Sequence, residues 1–531
     1  MTVATLPDNG PADRRPVGVR NVMAPYAARR AQQPIPGAFQ VVLALYILLT
    51  GAFPTILQAL AFGLQGGAES EFAAAMATQI TRDVLLILPL LLLSKHPLGI
   101  LHPLLLAIIV WPIVRDMPDV IENWGGWAGV LGGVPLAPPY FTGLPARASS
   151  VVWTAIAKYN LLDILGLVCT YAGFWLLKGR SNLSRALPVL RNPASLRTVI
   201  IGLIGISLLV LVFFLRARGG IGEHLTSLGG GRFKELSEYG GVIVAINLGA
   251  IALYVWVAAS PSDIKSPTFL AALSAVTAAM FLSNGTRSGA IEVPLMVGLI
   301  WALRRQRIPW KIALVLIPFM FVSIGLLGAI RTSSWSGSTA GKAFETVTWS
   351  ESFALAQQEV QTRNAASASV PVVARGFDLS GGQLLGSSYI GAVTAFIPRT
   401  IWPDKPRGVG SLYAQLFLGA AKSGTTIPVS PDAEMYWNFG IPGVVLLSIL
   451  YGALLRMMYN LFWRYYPSAF VTVLYVLFIT RFQFSSDRLV VLEQRTLLLA
   501  LCYIVIMTLV PKDEPLRNRG FVRPLDAMRS A

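Results

Sequence analysis

Long apolar stretches recur along this chain, separated mostly by short polar links, and one extended hydrophilic interval lies between Arg331 and Asp432. A helix needs about 20 mainly apolar residues to cross a bilayer. On that criterion the pattern predicts spans over 38–63, 76–94, 98–114, 151–177, 198–215, 241–259, 268–283, 289–303, 310–330, 439–461, 466–480 and 489–510. Only Ser94, Lys95, His96 and Pro97 separate the second span from the third. In lipid such segments must be helical, because no water is present to satisfy their backbone groups. The predicted fold class is an all-α polytopic integral membrane protein, with about 12 transmembrane helices and one long extracytoplasmic loop carrying interfacial helices.

The same pattern divides the chain. Residues 1–36, with six prolines and five arginines, read as a disordered basic cytoplasmic tail. Helices 1–9 follow over 37–330, the long loop over 331–433, helices 10–12 over 434–510, and a second basic cytoplasmic tail over 511–531. The first span is longer than a cleavable apolar region, so it is expected to stay uncleaved. Inside the long loop, residues 341–364 place Phe344, Val347, Phe353, Ala356 and Val360 near helical spacing, which predicts an amphipathic helix. Residues 389–401 are apolar but too short to cross, and read as an interfacial or re-entrant helix stopped by Pro398 and Pro403.

Composition agrees with this division. The chain is 54% hydrophobic and 13% charged, with a mean hydropathy of +0.61, which excludes an ordinary soluble globular protein. Its net charge of +17 fixes an orientation. With the N-terminus in the cytoplasm, the inner side holds 23 Lys/Arg and 6 acids, and the remainder holds 20 of each. All the excess charge then faces inward, as expected for a multi-pass membrane protein with both termini in the cytoplasm. The basic residues are spread over several short inner loops, a pattern that argues against a nucleic-acid partner. Cys169 and Cys502 both fall in predicted spans and imply no disulfide framework. No phosphate-binding or dinucleotide-binding glycine fingerprint and no metal-ligand cluster is evident, so no cofactor and no metal are expected.

What stands out chemically is cations on the predicted outer face. Arg218 and Arg232 follow the fifth span, and Arg287 sits in the short turn 283–289. Arg331, Arg399, Lys405 and Arg407 belong to the long interval, and Arg481 and Arg488 lie between the last two spans. Arginine suits planar, multidentate recognition of phosphate. The plainer alternative is that these residues anchor helix ends at lipid headgroups. Among the acids, Glu434 falls in the first turn of a helix behind Ser430, a candidate N-cap, and Pro431. A carboxylate there either serves chemistry or complements the helix dipole. Glu292 lies five residues after Arg287, close enough for a local ion pair, and Asp404 has Lys405 and Arg407 as candidate partners. Lys158 and Asp163 lie inside the fourth span and are read as pairing with another helix.

Three pieces of sequence carry a resemblance. They are Ile397-Pro-Arg-Thr-Ile-Trp-Pro-Asp-Lys-Pro406, Glu434-Met-Tyr-Trp-Asn-Phe-Gly440 opening a helix, and Gly285-Thr-Arg287. In order and spacing, from about residue 200 onward, the chain resembles the bacterial oligosaccharide repeat-unit polymerases, the Wzy-type O-antigen and exopolysaccharide polymerases. The pairs Arg399/Gly410 and Arg218/Gly229 also fit an Arg-x10-Gly pattern described for that family. The resemblance implies a glycosyltransferase at the outer face of the membrane that joins undecaprenyl-pyrophosphate-linked repeat units into a surface polysaccharide, without a metal. It implies lipid-linked oligosaccharide substrates, with a chain-length regulator and a flippase of the same pathway as candidate partners. On this reading Glu434, Arg287 and Arg399 are the candidate catalytic residues. Arg218, Arg232, Arg331, Asp404, Lys405, Arg407, Tyr436, Asn438, Arg481 and Arg488 are the candidate substrate contacts.

Two alternatives stay open. An O-antigen ligase shares the lipid-linked donor but places an important histidine in its long outer loop. Here His96, His102 and His224 all fall outside that interval. A flippase or transporter using Lys158 and Asp163 would favour internal repeats and short loops, and neither is evident.

Overall fold

The computed structural model describes residues 37–50, 69–96, 98–110, 150–177, 193–227, 239–284, 287–305, 365–395, 397, 401–419, 426–465 and 468–510. The two predicted tails, the predicted span 310–330, the predicted amphipathic helix 341–364, and Arg232, Arg331 and Arg399 lie outside these residues. Every regular element among the described residues is helical. In chain order they are α1 (Gly37–Thr50), α2 (Glu69–Leu92), α3 (Ser150–Leu176), α4 (Pro193–Ala217), α5 (Ile221–Ser227), α6 (Gly240–Ala259) and α7 (Pro267–Asn284). There follow α8 (Arg287–Arg305), α9 (Ala365–Ser380), α10 (Ser387–Val393), α11 (Val409–Leu418), α12 (Pro431–Tyr465), α13 (Ala469–Arg481) and α14 (Ser486–Leu509). Among the described residues six helices are long and apolar enough to cross a membrane, within α2, α3, α4, α6, α12 and α14. The protein is an α-helical, membrane-embedded chain.

A helix that is apolar all round belongs in the interior of a bundle. α6 meets that description, and its residues 250–258 are all buried. Around it pack α4, α7, α8, α13 and α14, contributing Ile200, Phe269, Met296, Val476 and Cys502 to one core. The other close pairing is α3 with α12. Gly173 lies against the Ile449 backbone and Gly452 against the Thr170 carbonyl, so a side chain on either glycine would have no room. Small residues of this kind let membrane helices approach backbone to backbone.

Several predicted boundaries change. α2 begins at Glu69, seven residues before the predicted start at 76, because the helix continues into polar sequence that the apolar criterion ignores. The predicted third span is irregular over its described part, with a 3-10 turn at Gly99–Leu101, an α turn at Pro103–Leu105 and a π turn at Leu106–Val110. Leu98, Leu101, Leu104, Leu105, Leu106 and Ala107 are all buried there, so protein rather than lipid surrounds this broken backbone.

The described part of the Arg331–Asp432 interval packs against the bundle. α9 packs on α3 and α12, and its Val370, Val372 and Val373 share a core with Ala155, Tyr159, Leu162 and Trp437. Tyr413 of α11 is buried in the same core. The predicted helix 389–401 appears instead as the shorter α10, from Ser387 to Val393.

The bundle has two distinct ends. At one end lie the C-termini of α4, α7 and α13 and the N-termini of α6, α8 and α14. There the Arg218 guanidinium sits 5.3 Å from the centre of the Tyr239 ring, and His224 Nε2 lies 2.7 Å from the Leu282 carbonyl oxygen. At the other end Arg197 pairs with Asp263 at 2.7 Å, and the Trp301 Nε1–H donates to the Pro261 carbonyl at 3.1 Å. His96 hydrogen-bonds the Tyr459 hydroxyl at 3.1 Å at that second end. Burial, reinforced by the Arg456 guanidinium, holds His96 down at about 4, so its ring stays neutral.

Candidate functional site

The residues of the Glu434–Gly440 motif are organised by how α12 begins. Ser430 Oγ accepts the Ala433 N–H at 3.3 Å, and Pro431 occupies the first helical position, so the sequence-predicted cap is formed. The motif does not run straight into the long apolar helix. Gly440 adopts φ 68° and ψ −158°, a conformation essentially confined to glycine, and it breaks α12 into a short leading segment and a long following one.

In the leading segment Glu434 and Asn438 are one turn apart and share a face. Glu434 is completely buried. Its Oε1 accepts the Ser388 hydroxyl at 2.7 Å, and its Oε2 accepts the Ser486 backbone N–H at 3.0 Å. Asn438 Nδ2 donates to Ser388 Oγ at 3.0 Å, while its Oδ1 accepts the Gly386 N–H at 3.0 Å. Three separate stretches, the starts of α10, α12 and α14, therefore converge on one carboxyl group. Tyr389 adds a tie by donating its hydroxyl proton to the Phe484 carbonyl at 3.1 Å. Desolvation, then the carboxyl groups of Glu434 and Asp432, push the Tyr389 phenol well above its ordinary range, so it remains a donor.

Tyr436 faces the other way. Its ring stacks on Phe377 of α9 with centroids 4.9 Å apart, and Lys158 Nζ lies 5.0 Å from its centre. Lys158 also donates to the Val373 carbonyl at 3.3 Å, and Asp163 pairs with Arg82 of α2. Both spanning charges are thus satisfied by other helices, as the sequence reading expects. The Asp432 carboxyl lies beside that of Asp163 in this cluster.

The proline-rich motif contributes mainly architecture in its described part. Lys405 Nζ donates to the Ile397 carbonyl at 2.9 Å and to those of Thr394 and Ala395 at 3.4 Å. It thereby closes the C-terminal end of α10, where a cation complements the exposed carbonyls. Arg407 donates to Gln415 Oε1 at 3.0 Å and is exposed, as is Asp404.

A second ionic centre involves Glu292 on α8. Arg481, the last residue of α13, forms an ion pair with it. Arg495 Nη2 of α14 lies 3.3 Å from Oε1 and 3.5 Å from Oε2. Arg488, in the first turn of α14, adds a weaker attraction to this carboxylate and also acts on Asp487. Glu292 thus takes contacts from two other helices. Arg287 itself is the first residue of α8, and its side chain lies outside the described residues. Arg495 is 6% exposed, and its Nη1 has no hydrogen-bond partner among the described residues.

The two centres are neighbours along the chain. Arg481 ends α13 at Glu292, and Ser486 begins α14 at Glu434, so a turn of four residues joins the guanidinium cluster to the buried carboxyl. The sequence-predicted residues Glu434, Asn438, Arg481 and Arg488 come together around this turn. Arg218 lies at the same end of the bundle, on the α4–α6 side. Lys405 and Tyr436 are occupied in packing and capping. Ser388, Ser486 and Arg495 were not singled out by the sequence reading. Arg495 had a visible signal, an arginine within an apolar span, whereas a serine supplying one hydroxyl or one backbone N–H leaves none. No family model, curated protein or solved structure matches this chain.

Proposed function

We propose that this protein is a membrane glycosyltransferase that polymerises lipid-linked oligosaccharide repeat units at the outer face of a bacterial cytoplasmic membrane, on a frame of twelve spans with both termini inside. The observation that carries this reading is the 482–485 turn, which holds an arginine cluster and a buried carboxyl side by side. Transfer from a lipid diphosphate needs both. The acceptor sugar hydroxyl attacks the anomeric carbon of the donor glycan, and a new C–O bond forms as the bond from that carbon to the diphosphate breaks. The diphosphate leaves with the electron pair, and the hydroxyl proton passes to a base.

Arg481, Arg488 and Arg495, with Arg287 at the head of α8, supply fixed positive charge for the leaving diphosphate. Glu434 takes the acceptor proton or orients that sugar. Each of its oxygens accepts one described hydrogen bond and retains a second lone pair. Ser388, on the seven-residue α10, is the wall that must give way for a substrate to reach it. Both substrates are tethered to lipid, so the bundle supplies proximity without a soluble sugar-nucleotide domain.

The lipid-linked sugars of cells lacking this protein test the reading. Loss of a polymerase leaves single repeat units facing outward on the carrier. Polymer remaining on the carrier would assign a ligase instead, and units confined to the inner face would assign a flippase.

A further inference from the structure

Glu292 is in contact with two guanidiniums and feels the charge of a third. Arg481 and Arg495 contact it directly, and Arg488 acts on it from the first turn of α14. Guanidinium groups keep their charge in proteins, so Glu292 cancels one positive charge of this cluster. A buried carboxylate is costly to maintain, and a site built only to attract phosphate would do better without one. Its placement is also specific. Glu292 lies within ion-pair distance of the innermost arginine, Arg495, through both of its oxygens, and Arg495 also interacts with the Tyr254 hydroxyl.

The reaction proposed above gives such a carboxylate a purpose. The donor carries its diphosphate esterified at both ends, with two negative charges. After glycosyl transfer the freed terminal phosphate can ionise again with a second pKa near 6, which adds about one further charge. An all-arginine cluster would therefore hold the spent polyprenyl diphosphate more tightly than the donor, and turnover would stall. We infer that Glu292 is a specificity-determining residue that lowers the positive charge of the arginine cluster and so favours release of the polyprenyl diphosphate monoester.

This inference rests on the polymerase reading, but it can fail separately. Chain extension by the purified protein is measured with added polyprenyl diphosphate, and the quantity read is the ratio of its inhibition constant to the donor KM. In the wild type that ratio should be one or above; inhibition tenfold tighter than donor binding would overturn the inference without any variant. In Glu292→Gln the ratio should fall by about tenfold or more, because the extra product charge then meets an uncompensated cation. In Arg495→Gln it should rise, and in the double variant Glu292→Gln/Arg495→Gln it should return toward the wild-type value. A purely structural Glu292 would alter protein yield or thermal stability and leave the ratio unchanged, which overturns the inference. A wild type that binds lipid-linked repeat units but never extends them would remove the polymerase reading itself.

Discussion

Ser486 donates its backbone N–H to Glu434 Oε2 at 3.0 Å, and this bond fixes the turn between α13 and α14 against the start of α12. The consequence is geometric. The same turn begins at Arg481, which holds Glu292, so only four residues separate the contacts to the two acids. The hydroxyl of Ser388 and the amide of Asn438 complete the arrangement from α10 and α12.

Removing those supports should be costly. Ser388→Ala withdraws one of two described donors from a completely buried carboxyl, and Asn438→Ala leaves the buried Gly386 N–H without its partner. Each is expected to cost about 1–3 kcal/mol. Thermal unfolding of the detergent-solubilised variants measures this, and an unchanged midpoint for both would mean that the network does not hold these segments together.

Gly440→Ala probes the break in α12. The residue sits at φ 68° and ψ −158°, and an added Cβ would lie 3.0 Å from Gln383 Nε2. A penalty of about 1–3 kcal/mol is expected from the backbone alone. Gly443→Ala, whose Cβ would meet the Met435 carbonyl at 2.8 Å, should destabilise as well, by a different route. Equal stability of Gly440→Ala and the wild type would argue that the break is not needed.

Much of the bundle was legible because lipid imposes a simple rule, and α3, α4, α6, α7 and α14 fall close to the apolar segments that predict them. The rule weakens where protein replaces lipid. α9 was hidden in a polar interval because its alanines, serines and charged residues fall below the apolar criterion, although residues 368–373 are all buried. The segment around His102 reads as one smooth apolar run but breaks into three kinds of turn, since neighbouring helices can satisfy an irregular backbone. At the site, Glu434 and Asn438 were legible from their motif, whereas Ser388 and Ser486 were not. Their contribution depends on tertiary pairing across 46 and 52 residues of sequence.

Topology gives an independent check. Reporter fusions after Lys178, Arg305 and Lys512 should read cytoplasmic, and fusions at Ser227 and Ser367 should read extracytoplasmic. A cytoplasmic reading at Ser367 would place α9 and the start of α12 on the wrong side for polymerisation.

Arg287→Ala and Arg399→Ala should abolish chain extension while the protein still accumulates in the membrane. Loss of a charge-assisted phosphate contact costs on the order of 2–4 kcal/mol of transition-state stabilisation, or about 30- to 1000-fold in rate. Lysine should rescue a point-charge contact in part and a bidentate one poorly. Near-normal polymer from both alanine variants would return these arginines to anchoring helix ends at headgroups.

The most direct measurement compares the wild type with Glu434→Gln in proteoliposomes supplied with lipid-linked repeat units, scoring chain length and substrate binding together. The wild type should convert single units into a ladder of longer lipid-linked chains, releasing one polyprenyl diphosphate per bond formed. Glu434→Gln keeps the shape and polarity of the side chain while removing its charge, and it should bind the same units yet extend almost none of them. A wild type that leaves the units unextended, or a Gln variant that builds substantial polymer, would contradict the account.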